Sequence, residues 1–130
     1  EDESKVLEAL RRILPEAHIE DIFFAKTKAE GHHGNPIVLF QARIKDKDMI
    51  KAFVEKFASN LSPLDKETLT QAIGKHIEKG SFYIRLDKQA AFEGEFKLGA
   101  SDPIRVRLRF RKNRLEDIVE ICRGVGMLSR

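Results

Sequence analysis

The sequence contains no tryptophan, a single cysteine at position 122 and no long apolar run. One cysteine cannot form a disulfide within the chain, and this usage is typical of a reducing compartment such as the cytoplasm. A membrane-spanning helix needs roughly 20 consecutive apolar residues, which no segment provides. Residues 1–5 have neither the basic nor the apolar region of a secretory signal. Because methionine does not stand first, we expect a chain that has been trimmed at its start.

What the sequence does contain is enough for one packed domain. Its 130 residues are 42% hydrophobic and 35% charged, which predicts a single folded domain over residues 1–130 and excludes compositional disorder. Asparagine and glutamine total six residues beside 24 Lys or Arg, a balance that is typical of thermophilic proteins.

The net charge of +3 is unevenly distributed along the chain. Residues 85–114 contain nine Lys or Arg and four Asp or Glu, a net charge of +5, whereas the remaining residues together carry a net charge of −2. A basic segment in a slightly acidic chain favours a partner that carries negative charge.

Hydrophobic periodicity predicts the element order α-β-β-α-α-β-(β)-β-α. Cap residues and breakers indicate where the helices begin and end. The first predicted helix begins at residues 2–4 and ends at Pro15, and the second begins at Asp46 or Asp48 and ends at Leu61. The third begins at the Ser62 capping box and ends at Gly80, and a short helical turn is expected over residues 88–95. The last helix begins at Asn113, which forms a cap with Glu116, and its end is expected to fray at Gly124 and Gly126. Strands are expected over 23–28, 38–44, 81–87 and 104–111, with a further short strand at 95–98. This order predicts a two-layer α+β domain, in which a mixed or antiparallel sheet of about four strands has helices packed on one face.

The cleanest predicted strand, over residues 104–111, carries arginine at every second position. On a strand, Arg105, Arg107, Arg109 and Arg111 share one face at a spacing of about 6–7 Å. Lys112 and Arg114 extend the basic run beyond them. An ordinary solvated face usually mixes charges of both signs, because like charges lying side by side repel. Phosphates at a similar spacing would compensate four arginines, so the pattern favours contact with nucleic acid or another polyanion over a solvated face.

The other predicted strands add to this basic surface. If helices cover one side of the sheet, we expect its open side to carry the four arginines together with Phe24, Lys26, Lys28, Gln41, Arg43, Tyr83 and Arg85. Such a surface can hold phosphates and stack bases. The prediction depends on every register, since a slip of one residue sends a side chain to the other face. Packing of Phe24 and Tyr83 under a loop or a partner is an equal alternative.

Metal binding and catalysis receive little support from the sequence. His32 and His33 lie in a Gly-flanked loop, but neither His76 nor Cys122 stands at a metal-type spacing from them. His32 therefore contacts a phosphate or a base, or belongs to a structural turn, whereas Cys122 is expected to be a small buried residue. There is no Gly-rich phosphate loop, nucleophile elbow or zinc-protease helix. We expect no metal, no cofactor and no enzymatic activity.

Two separated stretches carry a family resemblance: GHHGNPI at residues 31–37 and FYIRLDKQAAFEGEFKLGASDPIRVRLRF at residues 82–110. Over essentially its whole length, the chain resembles a small archaeal family of RNA-binding proteins with a dsRBD-like fold. That fold is similar to the fold of the large-subunit ribosomal protein that binds 5S RNA, and the family is described as predicted exosome-associated subunits. In such relatives a strand usually precedes the acidic start, so we expect a sheet that lacks an edge strand or is completed by a partner.

The resemblance implies RNA binding without catalysis, with exosome-associated or ribosome-associated proteins as candidate partners. The positions that match its motifs are His32, Gly34, Asn35, Arg85, Lys88, Gln89, Arg105 and Arg107. For Lys88 and Gln89, contact with RNA and capping of the 88–92 turn are equal alternatives.

Two functions follow, and we favour the first. The chain is either a module that binds structured RNA mainly through backbone phosphates, or a subunit of an RNA-processing or ribosomal assembly that docks its basic face on an acidic protein. The candidate contact residues are Lys26, Lys28, His32, Asn35, Arg43, Arg85, Lys88, Gln89, Arg105, Arg107, Arg109, Arg111, Lys112 and Arg114.

Overall fold

The structure, a computed structural model, describes residues 2–31, 34 and 36–129. Its helices are α1 (Glu3–Ile13), α2 (Lys47–Asn60), α3 (Pro63–Gln71), α4 (Ile73–His76), α5 (Lys88–Phe92) and α6 (Leu115–Gly124), and a 3₁₀ turn covers Glu16–Asp21. Its strands are β1 (Phe24–Glu30), β2 (Pro36–Ala42), β3 (Ile77–Glu78), β4 (Ser81–Leu86) and β5 (Ile104–Arg109). Within this described part, no helix is both long enough and apolar enough to cross a bilayer.

The strands form two small antiparallel sheets, and the predicted α+β class is confirmed. One sheet is the ribbon β1-β2, and the other has the order β3-β4-β5. The sequence predicts one sheet of about four strands, whereas the structure divides the strands between these two sheets. The short strand expected at 95–98 is reduced to one bridge, in which Leu98 pairs with Leu86.

The core lies between the inner face of the β3-β4-β5 sheet and the helices. Phe82, Ile84 and Leu86 alternate along β4 and are each at most 1% exposed. They share one apolar cluster with Phe53 and Phe57 of α2. Burying one such side chain contributes about 1.5–3 kcal/mol, so this alternation fixes which face of β4 points inward.

The expected helix starts are confirmed at three positions. Asp2 and Asp46 accept hydrogen bonds from the backbone at the start of α1 and α2. Ser62 does the same for α3, with Pro63 in the first turn of that helix. Because a cap satisfies N–H groups that have no partner inside the helix, these residues set where each helix begins.

The sequence predicts that Gly80 ends a helix. In the structure, Gly80 instead lies in a tight turn between β3 and β4. Helix α3 ends at Gln71, and α4 and β3 follow it. Lys79 and Gly80 have φ angles of +49° and +81°. Two successive positive φ angles are the pattern of a type I′ hairpin turn, which suits the twist of the flanking strands.

The boundaries of α6 also differ from the prediction. Arg114, not Asn113, occupies the N-cap position, and it makes no side-chain capping hydrogen bond. The end of α6 does not fray: Gly126, at φ +86°, donates to the carbonyl of Arg123, while Met127 donates to that of Cys122. These two bonds form a Schellman motif, which turns Met127 into the core, where it is 1% exposed.

Candidate nucleic-acid interface

The outer side of the β4-β5 hairpin carries a cluster of exposed basic residues. Strand β4 alternates buried and exposed positions, and β5 has arginine at each exposed position. We define the arginine face as Tyr83, Arg85, Arg105, Arg107 and Arg109. The prediction that these side chains point away from the core is confirmed.

The register brings the charges of this face close together. Arg85 lies directly opposite Arg105, and Tyr83 lies opposite Arg107. Opposed positions have Cβ atoms about 4.5–5.5 Å apart, so the Arg85 and Arg105 guanidinium groups repel each other unless an anion lies between them. Among the residues that the structure describes, no carboxylate lies within 4.0 Å of a guanidinium nitrogen of Arg85, Arg105, Arg107 or Arg109.

Arg107 is tethered within this face. Its Nε donates a hydrogen bond of 3.0 Å to Oγ of Ser81, and its Cζ lies 5.6 Å from the centroid of the Tyr83 ring. Behind Tyr83, Nδ1 of His76 lies 3.0 Å from the Tyr83 carbonyl oxygen, which places His76 in a structural role. The sequence did not indicate Ser81, because its contact with Arg107 runs diagonally between strands and depends on the register.

The basic run beyond β5 does not continue the face. The alternation predicts that Arg111 lies on the strand. Strand β5 ends at Arg109, however, so Arg111 lies in the segment that follows it. Lys112 and Arg114 are exposed beside it. Nε of Arg114 lies 3.7 Å from Glu116 in an exposed pair. These three residues are near the face in sequence but lie outside the β4-β5 ladder.

Lys26 and Lys28 are exposed, but they lie on the β1-β2 ribbon and not on the sheet that carries the arginine face, so the prediction that they share one open face with the arginines is wrong. Lys26 lies opposite Phe40 and Lys28 opposite Val38, on the side of the ribbon that faces α1. Nζ of Lys26 forms an ion pair of 2.7 Å with Glu3 of α1.

The reason for the error is that Phe24, not Phe23, packs against the core. Phe23 is 80% exposed, whereas Phe24 contacts the core cluster and has the Arg11 guanidinium 5.7 Å from its ring centroid. The outward positions expected for Gln41 and Arg43 agree with the structure, in which both residues are exposed. Arg43 belongs to the ribbon end and not to the sheet of the arginine face.

Lys88 and Gln89 line a shallow pocket of about 240 Å³ between the starts of α1 and α5. Nζ of Lys88 lies 2.6 Å from Oδ2 of Asp102, and Gln89 donates to Glu93 at 3.3 Å. Asp87, which caps α5, also lines this pocket. With carboxylates beside the lysine, the pocket is less suited to phosphate than the arginine face is.

The remaining candidate residues are the loop residues and Cys122. His32, His33 and Asn35 of the loop lie outside the described residues. Among the residues that are described, no three His, Cys, Asp or Glu side chains come together as a metal-ion site would require. Cys122 is buried, as predicted, and burial raises the pKa of its thiol to about 11.

Comparisons with known proteins agree with this fold. The chain is similar to RNA-binding protein PAB1135 of Pyrococcus abyssi, with 40% identity over 114 residues that make up 85% of this chain and 74% of that protein. Among solved structures, it is similar to protein AF2318 from Archaeglobus fulgidus, with a TM-score of 0.81, 29% identity, and coverage of 96% of this chain and 89% of that one. It is also similar to Mth689, a DUF54 protein from Methanothermobacter thermautotrophicus, with a TM-score of 0.76, 31% identity, and coverage of 97% and 88%.

A family model described as RNA binding matches residues 1–110, which include every residue of the arginine face. The match spans most of the chain, and so the chain belongs to this RNA-binding family.

Proposed function

We propose that this protein binds structured RNA through the arginine face, that it contacts mainly backbone phosphates, and that it does not catalyse a reaction on the RNA. The observation that carries the proposal is a group of four arginines on one two-stranded surface with no carboxylate within ion-pair distance among the described residues. Arginines left in this arrangement repel, and a row of phosphates removes that repulsion.

The geometry suits a phosphate backbone. Alternate residues on a strand are about 6–7 Å apart, which places Arg105, Arg107 and Arg109 in an evenly spaced row. Arginine binds phosphate oxygens through two parallel N–H groups, and phosphate contacts provide most of the affinity of such interfaces. Membership of the RNA-binding family and the name of the Pyrococcus relative support RNA as the polyanion.

The test is a fluorescence-anisotropy titration with double-stranded RNA, single-stranded RNA and duplex DNA at three salt concentrations. Four phosphate contacts predict a log–log salt slope of about −3 to −4, from roughly 0.7–0.9 per contact. We expect replacement of Arg85, Arg105, Arg107 and Arg109 with glutamine to abolish measurable binding and to leave the fold intact, since all four side chains are exposed.

A matched control removes the same amount of positive charge from another part of the surface. It replaces Lys28, Lys45, Lys47 and Lys51 with glutamine, and these exposed lysines lie on the ribbon and around the start of α2. Binding by this control should stay within a few-fold of the wild type. Normal RNA binding by the arginine variant would move the RNA site away from this face.

A second candidate uses the same surface. Unpaired arginines would also attract an acidic protein, so docking within an RNA-processing assembly, with exosome-associated or ribosome-associated partners, is the alternative. Co-purification separates the two functions: partners lost after nuclease treatment favour RNA, and partners retained after it favour direct protein contact.

A further inference from the structure

The four arginines of the arginine face differ in how firmly they are held. Arg107 has two fixed contacts, the hydrogen bond of 3.0 Å to Ser81 and the ring of Tyr83 at 5.6 Å. Ser81 is 1% exposed, so its hydroxyl is an anchor buried beneath the face. In the part of the chain that the structure describes, Arg85, Arg105 and Arg109 have no hydrogen bond, ion pair or ring contact through their side chains.

This difference affects the cost of binding a phosphate. A free arginine loses rotamer freedom when its guanidinium is immobilised on a ligand. Arg107 has lost much of that freedom already, because Ser81 and Tyr83 hold its guanidinium from two sides. A contact made by Arg107 therefore costs less conformational entropy than the same contact made by a neighbouring arginine.

The tether also leaves the phosphate-binding end of Arg107 available. Guanidinium carries five N–H donors, and Ser81 occupies only the one on Nε. Both terminal nitrogens remain to form a two-pronged contact with phosphate oxygens. The guanidinium lies over one face of the Tyr83 ring, with Cζ 5.6 Å from the ring centroid, and so competes with a base for stacking on that face.

We propose that Arg107 is the anchoring phosphate contact of the arginine face, and that Ser81 and Tyr83 are positioning residues that set the orientation of its guanidinium. The inference rests on the proposed function and deepens it, because it assigns one residue as the fixed point around which the other arginines engage the RNA backbone. The ligand group is a phosphate diester of a structured RNA.

A matched pair of single substitutions tests the anchor. Arg107→Gln and Arg109→Gln each remove one positive charge from the same face of β5. Both should make the salt slope shallower by about 0.7–0.9. We expect Arg107→Gln to weaken binding to a duplex RNA by a further factor of about two to ten beyond Arg109→Gln, the factor that corresponds to one immobilised side chain. Equal losses for the two variants would overturn the assignment.

Ser81→Ala tests the positioning role, because it removes the tether and keeps every charge. We expect it to weaken binding by about two- to tenfold with an unchanged salt slope, and to have no further effect in the Arg107→Gln protein. A purely structural role would instead lower the melting temperature and act equally in both backgrounds. Tyr83→Leu gives a second measurement at an exposed position, with Tyr83→Phe as the control that keeps the ring.

The outcomes separate this inference from the proposed function. If Ser81→Ala and Tyr83→Leu both bind like the wild type while the fourfold arginine variant does not bind, the assignment of Arg107 as the anchor is wrong. RNA binding through the arginine face is then still supported. If the fourfold arginine variant binds normally, the proposed function itself fails.

Discussion

Cys122 shows how burial of one side chain couples stability to pH. It is 0% exposed on the inner side of α6, and burial raises the pKa of its thiol from 9.0 to about 11. The unfolded chain therefore releases this proton at a lower pH than the folded chain does. The stabilisation is complete below pH 9 and is lost as the pH rises toward 11.

We expect the melting temperature of the wild type to fall more steeply between pH 9 and pH 11 than that of Cys122→Ala. The substitution removes the titrating group, and the small cavity that it leaves lowers stability by a constant amount at every pH. Scanning calorimetry at pH 7, 9, 10 and 11 measures both slopes, with the pH 7 difference as the internal control. Parallel curves across this range would show that the Cys122 thiol does not link folding to pH.

Alternation along a strand predicts on which face each residue lies only where apolar and charged residues alternate without exception. In β5, Val106 and Leu108 alternate with arginines, and the sequence alone places the arginines outside. In β1 two adjacent phenylalanines compete for the inner face. In the structure, Phe24 is the phenylalanine that packs against the core and contacts Arg11. These contacts are made with residues outside the strand, so the pattern within the strand cannot predict them.

The ends of the elements show a similar limit. Asp2, Asp46 and Ser62 are strong N-cap residues, so the starts of α1, α2 and α3 are predicted from the sequence. The apolar spacing of Leu69, Ile73 and Ile77 continues across the break after α3, so it predicts a longer helix than the structure has. There the pairing of Ile77 with Phe82 in the β3-β4 ladder outweighs the local helical pattern.

The Schellman motif at the end of α6 gives a prediction for this element. Gly126→Ala should lower the free energy of unfolding by about 1–2 kcal/mol, because alanine at a positive φ is strained. Space is not the cause, since an added Cβ would meet only Ala58 at 3.6 Å. Urea denaturation monitored by circular dichroism measures the change.

Gly124→Ala is the matched control for this substitution. Gly124 is the last residue of α6, its φ is not positive, and a Cβ there meets no atom within 4 Å. Alanine at this helical position should raise the stability by about 0.5–1 kcal/mol. A similar loss of stability for the two variants would mean that the backbone conformation of Gly126 does not determine the effect.

At the scale of the whole molecule, charge and apolar surface are divided between the two sheets. The β4-β5 hairpin presents the arginine face, whereas the outer side of the ribbon exposes Leu39 and Ile37 and carries no charge within its paired strands. Periodicity could not predict this division, because it describes each strand separately and does not state which distant strands pair. The uneven charge along the sequence nevertheless indicated that one region of the fold would be basic.

This division predicts a footprint confined to one sheet. Titration of the ¹⁵N-labelled protein with a duplex RNA should shift the backbone amide signals of β4 and β5, because these strands carry the arginine face, the proposed RNA contact. The signals of β1 and β2 should stay in place, since Lys26 pairs with Glu3 and the outer side of the ribbon is uncharged. Raising the salt concentration should reverse the shifts in β4 and β5 together, because one set of phosphate contacts produces all of them. Shifts concentrated in the ribbon would instead place the RNA on the apolar surface and would exclude the arginine face as its site.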